Sequence, residues 1–190
     1  MATKSSNKTH VVLDVNIWLD FLVMKKENSS GNYLFRDLNS TNFALKIIKP
    51  FLAESRSTGL YDINTSSHIL NALSIVLKDY YLWNESETQF ALDSVKSLCS
   101  NSGGSSDLDF SQSMPFVEKV IKTKNKNSVD LIDYEDMCVL ATAADIARDQ
   151  DQSFLITNDA GLLSFSSLTL PKLGVGIVSS RNFCQFIVSQ

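Results

Sequence analysis

The sequence predicts a three-layer α/β/α fold in which helices cover both faces of a central, largely parallel sheet. Residues 11–13 (VVL) and 154–156 (FLI) are short apolar runs, which are typical of parallel strands buried on both faces. Residues 134–148 carry apolar and alanine side chains at helical spacing directly before the second run. Strands and helices alternate along the chain, which favours parallel strands joined by right-handed crossovers.

The first elements place an acid at the end of a strand. Residues 1–9 are polar, and we expect them to form a flexible tail before a single domain over residues 10–190. The first strand stops at Asp14, and Asn16 begins a short helix that should end where residues 25–32 become polar. A buried strand, an acid and a helix therefore follow one another directly.

The rest of the chain divides at its turn residues and helix caps. Pro50 should kink or end the helix around it, and Ser66 or Ser67 can cap the next one. Residues 100–113 are rich in Ser, Asn, Gly and Asp, which predicts a flexible surface loop. We predict helices over residues 33–36, 44–54, 69–77, 86–99, 134–148, 160–164 and 181–188, a helix or edge element over 114–121, and strands over 60–63 and 174–178.

Composition and charge exclude several classes of protein. The chain has 190 residues, is 44% hydrophobic and has a formal net charge of -4, so it can bury the core of one domain but has no overall positive field to attract nucleic acid. Its three cysteines lack C-x-x-C spacing, which argues against a disulfide framework or a zinc site. The apolar stretch VVLDVNIWLDFLV is too short and too polar to span a membrane. We therefore expect a soluble protein of the reducing cytoplasm.

Three aspartates occupy comparable places in the predicted fold. Asp14 and Asp159 follow strands, and Asp136 lies in the first turn of the helix before the later strand. Ligands of open α/β sheets bind outside the carboxyl ends of the strands, where these side chains would meet. Clustered carboxylates repel one another unless a cation neutralises them, and their hard oxygens suit Mg²⁺ or Mn²⁺. Because such a metal can activate water for attack on phosphorus, phosphodiester hydrolysis is the indicated reaction class.

Each of these acids also has a purely structural interpretation. Asp133 can cap the helix that follows it, and Asp136 lies favourably against the dipole of that helix. Asp159 can cap the short helix after it. Asp14 is harder to explain in this way, because a carboxylate flanked by VVL and IWL should be partly buried and needs a partner. The joint pattern is more specific than any one of its members.

Four segments together resemble a known family. VVLDVNIWLDFL, SSHILNALSIVL, DYEDMCVLATAADI and FLITNDAGLL are similar to the motifs of PIN-domain proteins. The resemblance spans most of the chain and is closest to bacterial PIN proteins grouped as toxin components of toxin–antitoxin systems, which also have a final strand and helix similar to GVGIVSSRNFCQFI. It implies a PIN-like fold and a Mg²⁺- or Mn²⁺-dependent endoribonuclease acting on RNA. It further implies an antitoxin protein as a partner, and a homodimer.

The resemblance also assigns roles to individual residues. Asp14, Asp136 and Asp159 match the acids of the first, third and fourth motifs, so they would bind the metal and orient the attacking water. Asn16 matches the polar position beside the first acid, and Thr157 matches the hydroxyl position before the last. These two residues would support the carboxylates next to them.

The second motif departs from the family pattern. Aligning SSHILNALSIVL with the usual helix places Ala72 where a metal-pocket glutamate is expected, with Asn71 beside it. Glu135 or Asp133 would have to compensate for the missing carboxylate. Two functions therefore remain open: an active ribonuclease, or a PIN fold that has lost catalysis and binds RNA or protein. A phosphotransfer domain of similar architecture is a weaker third alternative, because no lysine follows the late strand where such domains usually have one.

A basic run precedes the central helix and has two interpretations. The run consists of Lys119, Lys122, Lys124 and Lys126. Such a run is most often a solvated face of a helix. The alternative is a rim that contacts the phosphates of RNA, which an acidic chain would need as a local positive patch.

Overall fold

A computed structural model describes residues 8–30, 38–52, 61–124, 132–150 and 152–188 of the chain. The strands are β1 (Thr9–Leu13), β2 (Tyr61–Asn64), β3 (Ser153–Ile156) and β4 (Val175–Val178). The helices are α1 (Val15–Ser30), α2 (Leu38–Ile48), α3 (Ser67–Asp79), α4 (Glu85–Ser102), α5 (Met114–Lys124), α6 (Tyr134–Gln150), α7 (Ala160–Leu163), α8 (Ser166–Leu173) and α9 (Ser180–Val188). A short 3-10 helix, Lys49–Phe51, follows α2.

The four described strands form one parallel sheet in the order β2-β1-β3-β4. In the centre, Val11 of β1 lies opposite Ile63 of β2 and Phe154 of β3. Helices flank the sheet, which confirms the predicted three-layer α/β/α fold. In the two central strands, residues 11–13 and 154–156 are continuously apolar because helices cover both faces of the sheet. Since β1 and β3 are parallel neighbours, their carboxyl ends lie side by side at one edge of the sheet.

Helix α6 packs across the sheet through small side chains. Ala141 and Ala144 are buried, and such residues let the helix approach β1, β3 and β4 closely. The hydroxyl of Ser153 at the start of β3 donates to the carbonyl of Ala143 at 2.7 Å, which ties the strand to the helix. Because only two residues separate the end of α6 from the start of β3, the N-terminal end of α6 returns to the carboxyl edge of the sheet. That end carries Asp136.

The predicted tail over residues 1–9 is wrong at its C-terminal end. Thr9 begins β1 and pairs with Tyr61 of β2. Lys8 donates from Nζ to Asp62 Oδ1 at 2.8 Å, so an ion pair holds the entry to the strand. Residues 1–7 lie outside the described part of the chain.

The predicted flexible surface loop over residues 100–113 is also wrong in part. Helix α4 continues through Ser102, whose buried hydroxyl accepts from the Ile63 amide at 2.8 Å. Beyond the helix, a Cβ atom on Gly104 would come within 1.9 Å of the Ile63 carbonyl oxygen, so only glycine permits this approach. The Ser105 amide then donates to Asn64 Oδ1 at 2.9 Å. These hydrogen bonds hold the segment against β2.

Several helices extend beyond their predicted ends. Helix α1 starts one residue before Asn16 and continues to Ser30, because the polar stretch keeps helical backbone geometry. The α-helical part of the second helix ends before Pro50, as predicted. The undecided element over 114–121 is helix α5, α8 has no counterpart among the predictions, and the predicted helix over 33–36 lies outside the described residues. Among the helices described, none has the length and apolar character needed to cross a membrane.

Candidate functional site

Asp14 lies at the carboxyl end of β1 and is almost completely buried, at 5% exposure. Three donors converge on its carboxylate: the Val15 amide reaches Oδ1 at 2.6 Å, and Asn16 Nδ2 and Thr157 Oγ1 each reach Oδ2 at 2.6 Å. Burial raises the pKa of Asp14, as does the charge of Asp159, while these three hydrogen bonds oppose the shift. The partner that a buried carboxylate needs is therefore present, as the sequence predicts.

Thr157 links the ends of the two central strands. Besides donating to Asp14, its hydroxyl oxygen accepts from Asn16 Nδ2 at 3.2 Å and from the Asp159 amide at 2.9 Å. Asp159 in turn accepts from the Leu162 amide through Oδ1 at 2.9 Å, so it caps α7. The structural interpretation of Asp159 is confirmed. This cap also holds the carboxylate beside Asp14, so the two interpretations are compatible.

Asp136 lies in the first turn of α6 and is half-buried. It forms a reciprocal cap with Asp133: the Asp136 amide donates to Asp133 Oδ1 at 2.9 Å, and the Asp133 amide donates to Asp136 Oδ2 at 3.4 Å. Burial, and then the charges of Asp133, Asp159 and Asp14, raise the pKa of Asp136 to about 6. The acids predicted from three separate segments therefore lie close enough to repel one another.

These acids open into one pocket with a cavity volume of about 490 Å³. Asp14, Asp136, Asp159 and Glu135 contribute carboxylates to its lining, and Asn16 also faces it. Thr157 is fully buried beneath the pocket. Every residue predicted for the site is therefore either in the lining or directly below it.

The wall contributed by α3 is different in character. Its lining residues are Asn71, Ala72, Ile75 and Val76, and none of these four carries a charge. Ala72 faces the same pocket as the three aspartates, so the position where the resemblance expects a glutamate is part of the lining. A carboxylate at this position would point into the acidic group.

His68 contacts the acidic pocket but was missed by the sequence predictions. Its Nε2 lies 2.5 Å from Glu135 Oε2, although Nε2 is buried and the contact lacks hydrogen-bond geometry. The ring also packs edge-on against Phe110 at 5.6 Å and Tyr134 at 6.4 Å between centroids. One feature of the sequence could have indicated this contact: His68 lies four residues before Ala72, which places both side chains on one face of α3.

The donor set fits a hydrated divalent cation. Carboxylate oxygens are the ligands that Mg²⁺ and Mn²⁺ prefer. In the described ranges, no three side chains from His, Cys, Asp and Glu are grouped so that they could hold an ion by themselves. Mg²⁺ commonly needs only one or two carboxylates, because waters and substrate phosphate complete its shell. The pocket therefore suits an ion that keeps part of its water.

The basic run before α6 is only partly described. Lys119 and Lys122 are exposed on α5, and Lys122 Nζ pairs with Glu118 at 3.0 Å. The Lys124 side chain and Lys126 lie outside the described part of the chain. The ion pair of Lys122 is what the solvated-face interpretation expects, and a phosphate-contacting role of the run stays a prediction.

The fold and the pocket together define a class: a three-layer α/β domain with carboxylates gathered at the carboxyl edge of its central strands. Comparison of the chain with protein-family models, curated proteins and solved structures found no match. Its function must therefore be argued from the pocket itself.

Proposed function

We propose that this chain is a PIN-type endoribonuclease that depends on Mg²⁺ or Mn²⁺ and hydrolyses RNA phosphodiester bonds, as the toxin of a toxin–antitoxin pair. One observation carries the proposal: Asp14, Asp136 and Asp159 come from distant parts of the sequence and line one pocket. They do so although burial, followed by the charges of Asp133, Asp159 and Asp14, raises the pKa of Asp136 to about 6. A fold keeps such an arrangement at a cost in stability, and the usual reason is function.

Each residue of the pocket would have its own role in hydrolysis. Asp14, Asp136 and Asp159 would hold the ion together with bound water, and the ion would supply positive charge for the scissile phosphate and would lower the pKa of water. Asn16 and Thr157 fix the Asp14 carboxylate through the 2.6 Å hydrogen bonds described above. Without an ion the pKa of Asp136 is raised to about 6, so binding of the ion near neutral pH would compete with a proton at this carboxylate.

The test is Mn²⁺ binding by calorimetry together with cleavage of single-stranded RNA. We expect wild-type protein to bind Mn²⁺ and cleave, and Asp14→Asn and Asp159→Asn each to lose cleavage while remaining folded. Asp93→Asn is the matched control, because Asp93 is exposed on α4, away from the pocket, and its Oδ1 accepts from Gln89 Nε2 of the same helix. Unchanged cleavage in both pocket variants would overturn the site assignment.

A second function is favoured by the uncharged α3 wall. Ala72 leaves the pocket without the fourth family carboxylate, which would weaken the hold on a metal. The alternative is a PIN fold that has lost catalysis and binds RNA or protein. Tight RNA binding without metal, together with no turnover at high protein concentration, would support this alternative. Robust metal-dependent turnover would eliminate it.

A further inference from the structure

Asn158 connects the end of β3 to the start of the last helix. Its Oδ1 accepts two hydrogen bonds from Ser180, one from the backbone amide at 3.3 Å and one from Oγ at 2.9 Å. Ser180 is the first residue of α9 and is 1% exposed. The first amides of a helix have no partner within the helix. Asn158 supplies that partner from a different segment of the chain.

The same residue also leads to the acidic pocket. The Asn158 amide donates to Asn16 Oδ1 at 3.3 Å, and Asn16 Nδ2 donates to Asp14 Oδ2 at 2.6 Å. Asn158 lies between Thr157, which also donates to Asp14, and Asp159. A continuous series of hydrogen bonds therefore runs from α9 through Asn158 and Asn16 to Asp14.

Helix α9 is a firm anchor for this series. Phe183, one turn after Ser180, is 2% exposed and packs edge-on against Tyr61 of β2 at 5.3 Å between centroids. It also contacts Phe154 of β3 at 6.3 Å. The N-terminus of α9 is therefore fixed against the sheet by buried aromatic packing. The segment around Asn158, which is hydrogen-bonded to Ser180, is therefore held in place as well.

We propose that Asn158 and Ser180 are positioning residues, which hold Asn16 and the Thr157–Asp159 segment so that Asp14 and Asp159 keep their places in the pocket. This inference rests on the proposed metal-dependent function of the same pocket. Neither residue lines the cavity, so each acts through others. Residues that orient metal ligands in this way contribute roughly tenfold or more to metal affinity. We expect a smaller effect here, about fivefold, because the action passes through one more hydrogen bond.

The experiment compares two serines at one helix end. Ser180→Ala removes the hydroxyl that donates to Asn158. Ser179→Ala is the matched control, because Ser179 Oγ accepts from the Asn182 amide at 3.2 Å and so caps α9 itself. Both serines lie at the start of the helix, but only the Ser180 hydroxyl is hydrogen-bonded to Asn158. Asn158→Ala provides a second test on an exposed side chain, which can be removed without opening the core.

Two readouts separate positioning from stability. The first is Mn²⁺ affinity by calorimetry, and the second is the metal-free NMR shift of the Asn16 side-chain amide. We expect Ser180→Ala and Asn158→Ala to weaken Mn²⁺ binding about fivefold and to move the Asn16 resonances, without further loss in the double variant. Ser179→Ala should leave both readouts at their wild-type values.

The outcomes distinguish failure of this inference from failure of the proposed function. If wild-type protein does not bind Mn²⁺, the proposed function fails, and the metal-free Asn16 shift still decides whether the positioning exists. If wild-type protein binds Mn²⁺ while folded Ser180→Ala and Asn158→Ala keep both its affinity and its Asn16 resonances, the positioning role is overturned. Equal effects of Ser179→Ala and Ser180→Ala would also overturn it, because helix fraying would then explain both.

Discussion

The two walls of the acidic pocket are built in opposite ways. The wall formed by the ends of β1 and β3 is dense in hydrogen bonds, since Thr157 Oγ1 alone joins Asp14, Asn16 and the Asp159 amide. The wall formed by α3 is uncharged, and Ala72 faces the carboxylates. One wall holds its charged groups in fixed positions, whereas the other adds no charge to them.

This difference indicates where the function of the pocket can be altered. The strand wall carries carboxylates that repel one another, and its hydrogen bonds stabilise the buried charge of Asp14 in the folded state. The α3 wall imposes no such strain and leaves room for another ligand. Removing a hydrogen bond from the strand wall should therefore affect both stability and metal binding, whereas adding a carboxylate to the α3 wall should strengthen metal binding.

The largest expected effect comes from removing the hydroxyl of Thr157. In Thr157→Val the buried Asp14 carboxylate loses a 2.6 Å donor and the Asp159 amide loses its acceptor. We expect a loss of about 2 kcal/mol in the free energy of unfolding, the usual range for hydrogen bonds to charged groups. Urea denaturation at pH 7 measures it. Thr123→Val is the control, because that exposed hydroxyl donates to the Lys119 carbonyl of its own helix. An equal loss of stability in both variants would contradict the role of the Thr157 hydroxyl in stabilising the pocket.

Adding a carboxylate to the other wall should strengthen metal binding. Ala72→Glu places a fourth acid in the pocket, and we expect Mn²⁺ to bind roughly tenfold more tightly, equivalent to about 1.4 kcal/mol. Ala72→Gln has nearly the same shape without the charge and should not tighten binding. Calorimetry on the two variants measures the difference. If the two variants bound Mn²⁺ equally tightly, the missing charge of the α3 wall would have no effect on metal binding.

The smallest expected effect is a change in how stability depends on pH. The pKa of Asp136 rises from 3.8 to about 6 on folding, so the folded state binds this proton more tightly than the unfolded state. Its contribution to stability is present below 3.8 and is lost as pH rises through about 6. Asp136→Asn should therefore be more stable than wild type at pH 7, by about 1 kcal/mol after allowing for solvent screening of a half-exposed group.

Urea denaturation between pH 4 and pH 7, read as a difference between the two proteins, measures this effect. The stability gained by Asp136→Asn should grow through that interval. Asp93→Asn, an exposed acid outside the pocket, should show no such pH-dependent gain. A constant difference across the interval would mean that folding does not raise the pKa of Asp136.

Much of the fold was accessible from the sequence, because strands buried on both faces leave a clear apolar signature. The runs before Asp14 and Thr157 identified the two central strands, and their ends predicted where two of the acids would lie. Element boundaries were less accessible. Ser102 lies in a stretch whose composition predicts a loop. It nevertheless belongs to α4, because its hydroxyl is hydrogen-bonded to β2.

The resemblance to PIN domains assigned Asn16, Thr157 and Ala72 to the pocket. The sequence by itself placed three aspartates at strand or helix ends. It could do so because strand ends and helix starts are set by local patterns. Only the tertiary structure decided that His68 reaches Glu135 and that Asn158 bonds Ser180 of the last helix. Such contacts join segments that no local pattern relates, since they depend on how helices pack around the sheet.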